Sequence, residues 1–79
     1  MVYKVIAYPI GTIFGWEAEE IDTYDTWFDY EKPTLDEVKF PQGEDHVAEV
    51  FTRKATKREA IEYAIKLFAI VTSAGHKED

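Results

Sequence analysis

The sequence predicts an α+β domain: an antiparallel sheet of three or four strands with one C-terminal helix packed on one face. Three observations carry this. Apolar residues alternate with polar ones through much of the N-terminal half, the signature of half-buried strands. One segment after Thr56 spaces its apolar residues as a helix does. The 79 residues include 46% apolar and 15% aromatic side chains but only four Gly and three Pro, enough for one core and too little for two.

The first strand is expected over 2–8, where "YKVIAY" is β-branched and aromatic and Pro9 closes the run. A second is expected over 12–18, since Phe14, Trp16 and Ala18 alternate with Gly15, Glu17 and Glu19. Glu19–Asp22 then reads as a tight turn or bulge. The third expected strand, 23–31, places Tyr24, Thr26, Phe28 and Tyr30 on one face and Asp25, Trp27, Asp29 and Glu31 on the other. A register slip of one residue would instead send Trp27 into the core and Phe28 to solvent.

Residues 32–45 contain Pro33, Pro41 and Gly43 and read as a long structured loop, in which Thr34 and Glu37 have the spacing to cap one helical turn. "HVAEVFT", 46–52, is the last expected strand. The helix is expected over about 57–74, with Thr56 and Glu59 as a capping box and Gly75 as its stop. Ile61, Ala64, Ile65, Phe68 and Val71 form the stripe that should meet the sheet, leaving Lys57, Arg58, Glu62 and Lys66 to water. Leu67 and Ile70 widen the apolar face, which calls for cover from the long loop or for a homodimer contact through these residues or a free sheet edge.

The formal charge of −7 is unevenly spread. Residues 17–49 hold twelve acids against Lys32 and Lys39, while the flanking segments are mildly basic. Seven carboxylates and five aromatic rings crowd into "WEAEEIDTYDTWFDYE", Trp16 to Glu31, without one Lys or Arg. This balance disfavours direct contact with nucleic acid or anionic membrane. The chain has no cysteine, hence no disulfide or thiolate metal site, and no stretch approaches the length of a membrane span, so a cytoplasmic protein is expected.

Catalytic chemistry finds little support. Ser73 is the only serine and has no nucleophile-elbow context, and "GTIFG" lacks the residues of a phosphate-binding loop. Glu44, Asp45 and His46, with Glu49 near, offer ligand types for a metal, but a solvated loop explains them better, and no metal or other cofactor is expected. Carboxylates on an open sheet face keep their solvent, and a domain this small has little volume for a deep substrate pocket. Arg53, Lys54, Lys57 and Arg58 cluster where the last strand enters the helix and read as a solvated patch.

The sequence therefore points to a non-enzymatic binding protein. One helix covers one face of the sheet, so the other is expected to display Glu17, Glu19, Asp25, Asp29 and Glu31 around Trp27, which has the character of an interface anchor. Carboxylates at alternate strand positions lie about 6.6–6.8 Å apart, a regular line of negative charge that a basic groove made for phosphates would accept. In size and charge alone the chain resembles the nucleic-acid mimics with which phages and mobile elements block restriction or CRISPR systems. The expected partner is a basic, nucleic-acid-binding protein surface. The plainer alternative is a homo-oligomerising accessory domain whose acids only keep its open face soluble.

Overall fold

A computed structural model describes residues 2–21 and 34–76 of the chain. The expected third strand, 23–31, lies outside the described residues. Within them, strands β1 (Val2–Ile10), β2 (Ile13–Ile21), β3 (Val38–Lys39) and β4 (Ala48–Thr52) precede helix α1 (Lys57–His76). The strands form one antiparallel sheet in the order β2-β1-β4-β3, and α1 packs on one face, which makes the fold α+β.

A two-residue turn, Gly11-Thr12, joins β1 to β2 and fixes their register. Gly11 has φ of 60° and Thr12 no positive φ, the pattern of a hairpin turn with glycine at its first central position. Ile10 therefore pairs with Ile13, and the ladder continues through Ala7–Trp16, Ile6–Glu17 and Lys4–Glu19 to Val2–Ile21. Two expectations are corrected here. Pro9 does not close β1 but lies within it, opposite Phe14. By the alternation of an antiparallel ladder its nitrogen points to the β4 side, where pairing has ended at Ala7–Ala48, so no ladder bond is lost. Likewise, Glu19 and Glu20 do not begin a turn, because β2 stays paired with β1 as far as Ile21.

The expected loop 32–45 contains β3, whose Val38 pairs with Val50. In place of a helical turn capped by Thr34 and Glu37, Leu35 bridges to Phe51 and the Asp36 N–H donates to the Phe51 carbonyl at 2.6 Å. Asp36 takes a left-handed φ of 58°, a conformation Asp tolerates better than most residues. There its carboxylate accepts a 2.7 Å bond from the Thr52 hydroxyl, which satisfies a side chain only 1% exposed.

Helix α1 starts as its sequence dictates. The Glu59 N–H donates to the Thr56 hydroxyl oxygen at 3.1 Å, that hydroxyl donates to the Glu59 carboxylate at 3.2 Å, and the Ala60 N–H reaches the Thr56 carbonyl at 3.0 Å. The helix does not stop at Gly75 but continues to His76. Its inner line also differs from the expected stripe. Ala60 and Ala64 are fully buried with Tyr3, Val5 and Val50, and Leu67 packs against this core, whereas Ile65 and Val71 are 41% and 37% exposed. Two methyl groups let the helix backbone approach the sheet closely, which turns the contact line toward Ala60–Ala64–Leu67. Val5 and Val50, sealed between helix and sheet, each stabilise the fold by about 1.5–3 kcal/mol relative to exposure. Among the described residues no helix is long and apolar enough to cross a membrane.

Candidate binding face

Which face of the sheet each acid occupies follows from the aromatic contacts of β2. Phe14 and Trp16 meet Phe68 of α1 with ring centroids at 5.2 and 5.5 Å. The even-numbered residues of β2 thus face the helix, and Gly15, Glu17 and Glu19 face away from it. Glu17 and Glu19 are exposed there, on the helix-free face. Asp25, Trp27, Asp29 and Glu31 lie outside the described residues.

The rest of this face comes from β1 and β4, and it is less uniformly acidic than the sequence suggested. Lys4 stands opposite Glu19 in the ladder, and its ammonium is 3.8 Å from the Glu49 carboxylate. Lys39 pairs with Glu49 across β3–β4 and its ammonium lies 3.7 Å from Glu37. Tyr8, diagonal to Glu17, donates its phenol proton to that carboxylate. The bond, together with burial and the negative charges of Glu17 and Asp45, raises the Tyr8 pKa to about 12. Lys4, Ile6, Glu17 and Glu19 also line a depression of about 470 Å³, completed by Ala18, Glu20 and Lys57.

His46 was expected to be part of a solvated loop, but it is only 8% exposed. Its Nε2 donates to Glu49 at 2.7 Å, and its Nδ1 lies 3.5 Å from Asp45. The bond to Glu49 holds the imidazole pKa above its ordinary value, against the lowering effect of burial and helped by Asp45 and Glu44. Ligand-type atoms of Glu44, Asp45 and His46 do gather within 4.8 Å. Glu44 and Asp45 are nevertheless exposed, and the Nε2 of His46 is already engaged by Glu49.

Lys4, Tyr8, His46 and Glu49 were missed as members of this face. A usable signal was present for the first two: once Gly11-Thr12 is read as a two-residue turn, counting puts Lys4 opposite Glu19 and Tyr8 opposite Gly15, diagonal to Glu17. The basic cluster before and in α1 is engaged locally, with Lys54 4.2 Å above the Tyr63 ring and Arg58 3.8 Å from Glu62.

Neither family models, curated proteins nor solved structures yield a match to this chain.

Proposed function

We propose that this protein is a non-enzymatic binding module whose helix-free sheet face docks a basic surface of a partner protein, blocking a site that otherwise accepts nucleic acid. The observation that carries this reading is the exposed Glu17–Glu19 pair beside an open depression that Glu20 also lines. Adjacent outward carboxylates on one strand sit about 6.7 Å apart, near enough for one guanidinium to bridge or for two cations to bind side by side. Arginine is the best fit, because its planar fork satisfies carboxylate oxygens in pairs. Lys4 and Lys57 limit how many cations the depression can take and orient what enters it. Charge of this kind chiefly speeds encounter and selects the partner's sign.

The reading is tested by titrating an arginine-rich peptide into the protein at low and high salt. Glu17→Gln with Glu19→Gln should weaken binding roughly tenfold and flatten its salt dependence. Glu59→Gln with Glu62→Gln removes the same charge from exposed helix positions and should leave affinity nearly unchanged. Equal losses from both pairs would reduce the effect to net charge and defeat the proposal. Capture from lysate at low salt with salt elution would then identify the partner.

A further inference from the structure

Strand β2 forms one edge of the sheet, and among the described residues no strand pairs with its outer side. The hairpin register says which backbone groups point there. A two-residue turn makes Ile10 and Ile13 a hydrogen-bonded pair, and such pairs alternate along an antiparallel ladder, so Gly15, Glu17 and Glu19 bond to β1. Phe14, Trp16, Ala18 and Glu20 therefore turn their N–H and C=O groups outward. The 2.8 Å bond from the Val47 N–H to the Ala7 carbonyl fits this alternation, because Ala7, opposite Trp16, turns its own groups to the β4 side.

Proteins ordinarily blunt such an edge with a short strand, a proline, a lysine or a bulge. At the other edge β3 has only two residues, whereas β2 has nine, pairs with β1 without a skipped residue, and contains no Pro, Lys or Arg. Its only charges are glutamates, which repel acidic strands and attract basic ones. The surface is also hollow where the free backbone runs. Glu17, Ala18, Glu19 and Glu20 line one depression, although the odd positions face away from the helix and the even ones toward it. Lys4 and Ile6 flank it on the helix-free side and Lys57 on the helix side. The outer edge of β2 joins those two sides, so the depression follows that edge.

The side chains of β2 define the sequence that pairs with it, since an added strand sets its residues beside those of β2 on the same face. Beside Glu17 and Glu19, on the helix-free face, basic side chains are favoured. Beside Trp16 and Ala18, which pack against the core on the helix side, apolar ones are favoured. A second copy is a poor match: antiparallel overlap of all nine residues centres on Glu17 and sets it against its own counterpart, a destabilising pair of like charges. We infer that the outer edge of β2 takes up an extended segment of the partner, in which basic and apolar residues alternate, as an added strand of the sheet. This mode of binding rests on the basic partner proposed above and divides the work: backbone bonds hold the segment, while Glu17 and Glu19 select its charge.

A short peptide of alternating arginine and valine, titrated into the full chain at low salt, tests this. In antiparallel pairing, the more stable kind, valines beside Trp16 and Ala18 turn their N–H groups toward β2 and the arginines turn theirs away. N-methylation of the valines should weaken binding at least tenfold, and N-methylation of the arginines should change it little. Ala18→Pro, which removes an outward N–H and no bond to β1, should weaken binding at least tenfold while circular dichroism stays native; if it unfolds, the methylated peptides decide. In the free protein the amide hydrogens of Phe14, Trp16, Ala18 and Glu20 should exchange rapidly, and the peptide should slow them. Equal binding by the two methylated peptides overturns strand addition but leaves Glu17 and Glu19 as a docking face. Failure of the unmodified peptide to bind overturns both. Protection of those amides in the free protein also overturns strand addition by a partner, since the edge is then already occupied, and protection that grows with protein concentration would assign the edge to a second copy.

Discussion

Replacing Phe68 by alanine is the sharpest test of how the helix is held to the sheet. The ring meets Phe14 and Trp16 edge to face, with interplanar angles of 76° and 78°, and Phe40 at a tilt of 45°. Complete loss of a buried Phe costs about 3–5 kcal/mol. Phe68 is only half-buried, which lowers the transfer and cavity part to about 2 kcal/mol. The two edge-on contacts add about 1 kcal/mol together beyond area. The expected cost is therefore about 3 kcal/mol, a large share of the 4–12 kcal/mol typical for a chain of this size. The melting temperature should fall by roughly 10–20 °C. Urea unfolding followed by far-ultraviolet circular dichroism gives the free energy, and the fluorescence of Trp16 reports the contact itself. A double-mutant cycle with Phe14→Ala should return a coupling near 1 kcal/mol. A cost below about 1 kcal/mol, or zero coupling with Phe14, would mean that these rings do not clamp α1 to β2.

Three further outcomes are expected. The raised pKa of His46 means that its protonated form stabilises the fold fully below the unfolded value of about 6.5, and this contribution is lost as pH rises through the folded value; urea unfolding across that window should show falling stability, and His46→Gln should remove that part of the slope. Thr52→Val should cost about 1–2 kcal/mol by deleting the buried donor to Asp36, whereas Asp36→Asn, which keeps an acceptor and tolerates the left-handed backbone, should cost less than about 1 kcal/mol. A neutral Thr52→Val would show that the bond contributes nothing. Gly11→Ala should cost about 1–2 kcal/mol in a thermal melt, from backbone conformation alone, since a Cβ there meets nothing within 4 Å; an unchanged melting temperature would contradict the turn assignment.

Much of the fold was legible because strong local signals agreed with the global arrangement. Thr56 and Glu59 announced the helix start, and the alternation of Phe14, Trp16 and Ala18 with Glu17 and Glu19 separated the two faces of β2 correctly. Failures occurred where a local signal depends on what lies beside it. Pro9 looks like a terminator, yet a proline is tolerated wherever its nitrogen faces an unpaired side of the strand, and that is a property of the neighbouring strand's length. Val38 and Lys39 carry no strand periodicity, because two residues are too few for one, and only β4 makes them a strand. Within the helix, Ala64 was placed on the inner stripe but the larger side chains of Ile61 and Ile65 drew attention away from Ala60, although small residues are what close packing on a sheet requires. The candidate face was half legible: its carboxylates stand out in the sequence, while the lysine and the tyrosine that meet Glu49 and Glu17 come from a different strand.

Lys4 gives the acidic face a built-in competitor. It stands opposite Glu19 and near Glu49, so any mobile cation arriving at those carboxylates meets a rival that cannot diffuse away. A group tethered in this way acts at an effective concentration in the millimolar range, comparable with that of free ions. The face therefore behaves as a seat with a hinged stopper, and an incoming cation gains only the difference between its own grip and that of the displaced ammonium. The flexible four-carbon stem of lysine lets the stopper swing aside without moving the strand. Replacing Lys4 by methionine would leave the seat open, deepening the local negative potential while preserving the stem that packs along the sheet.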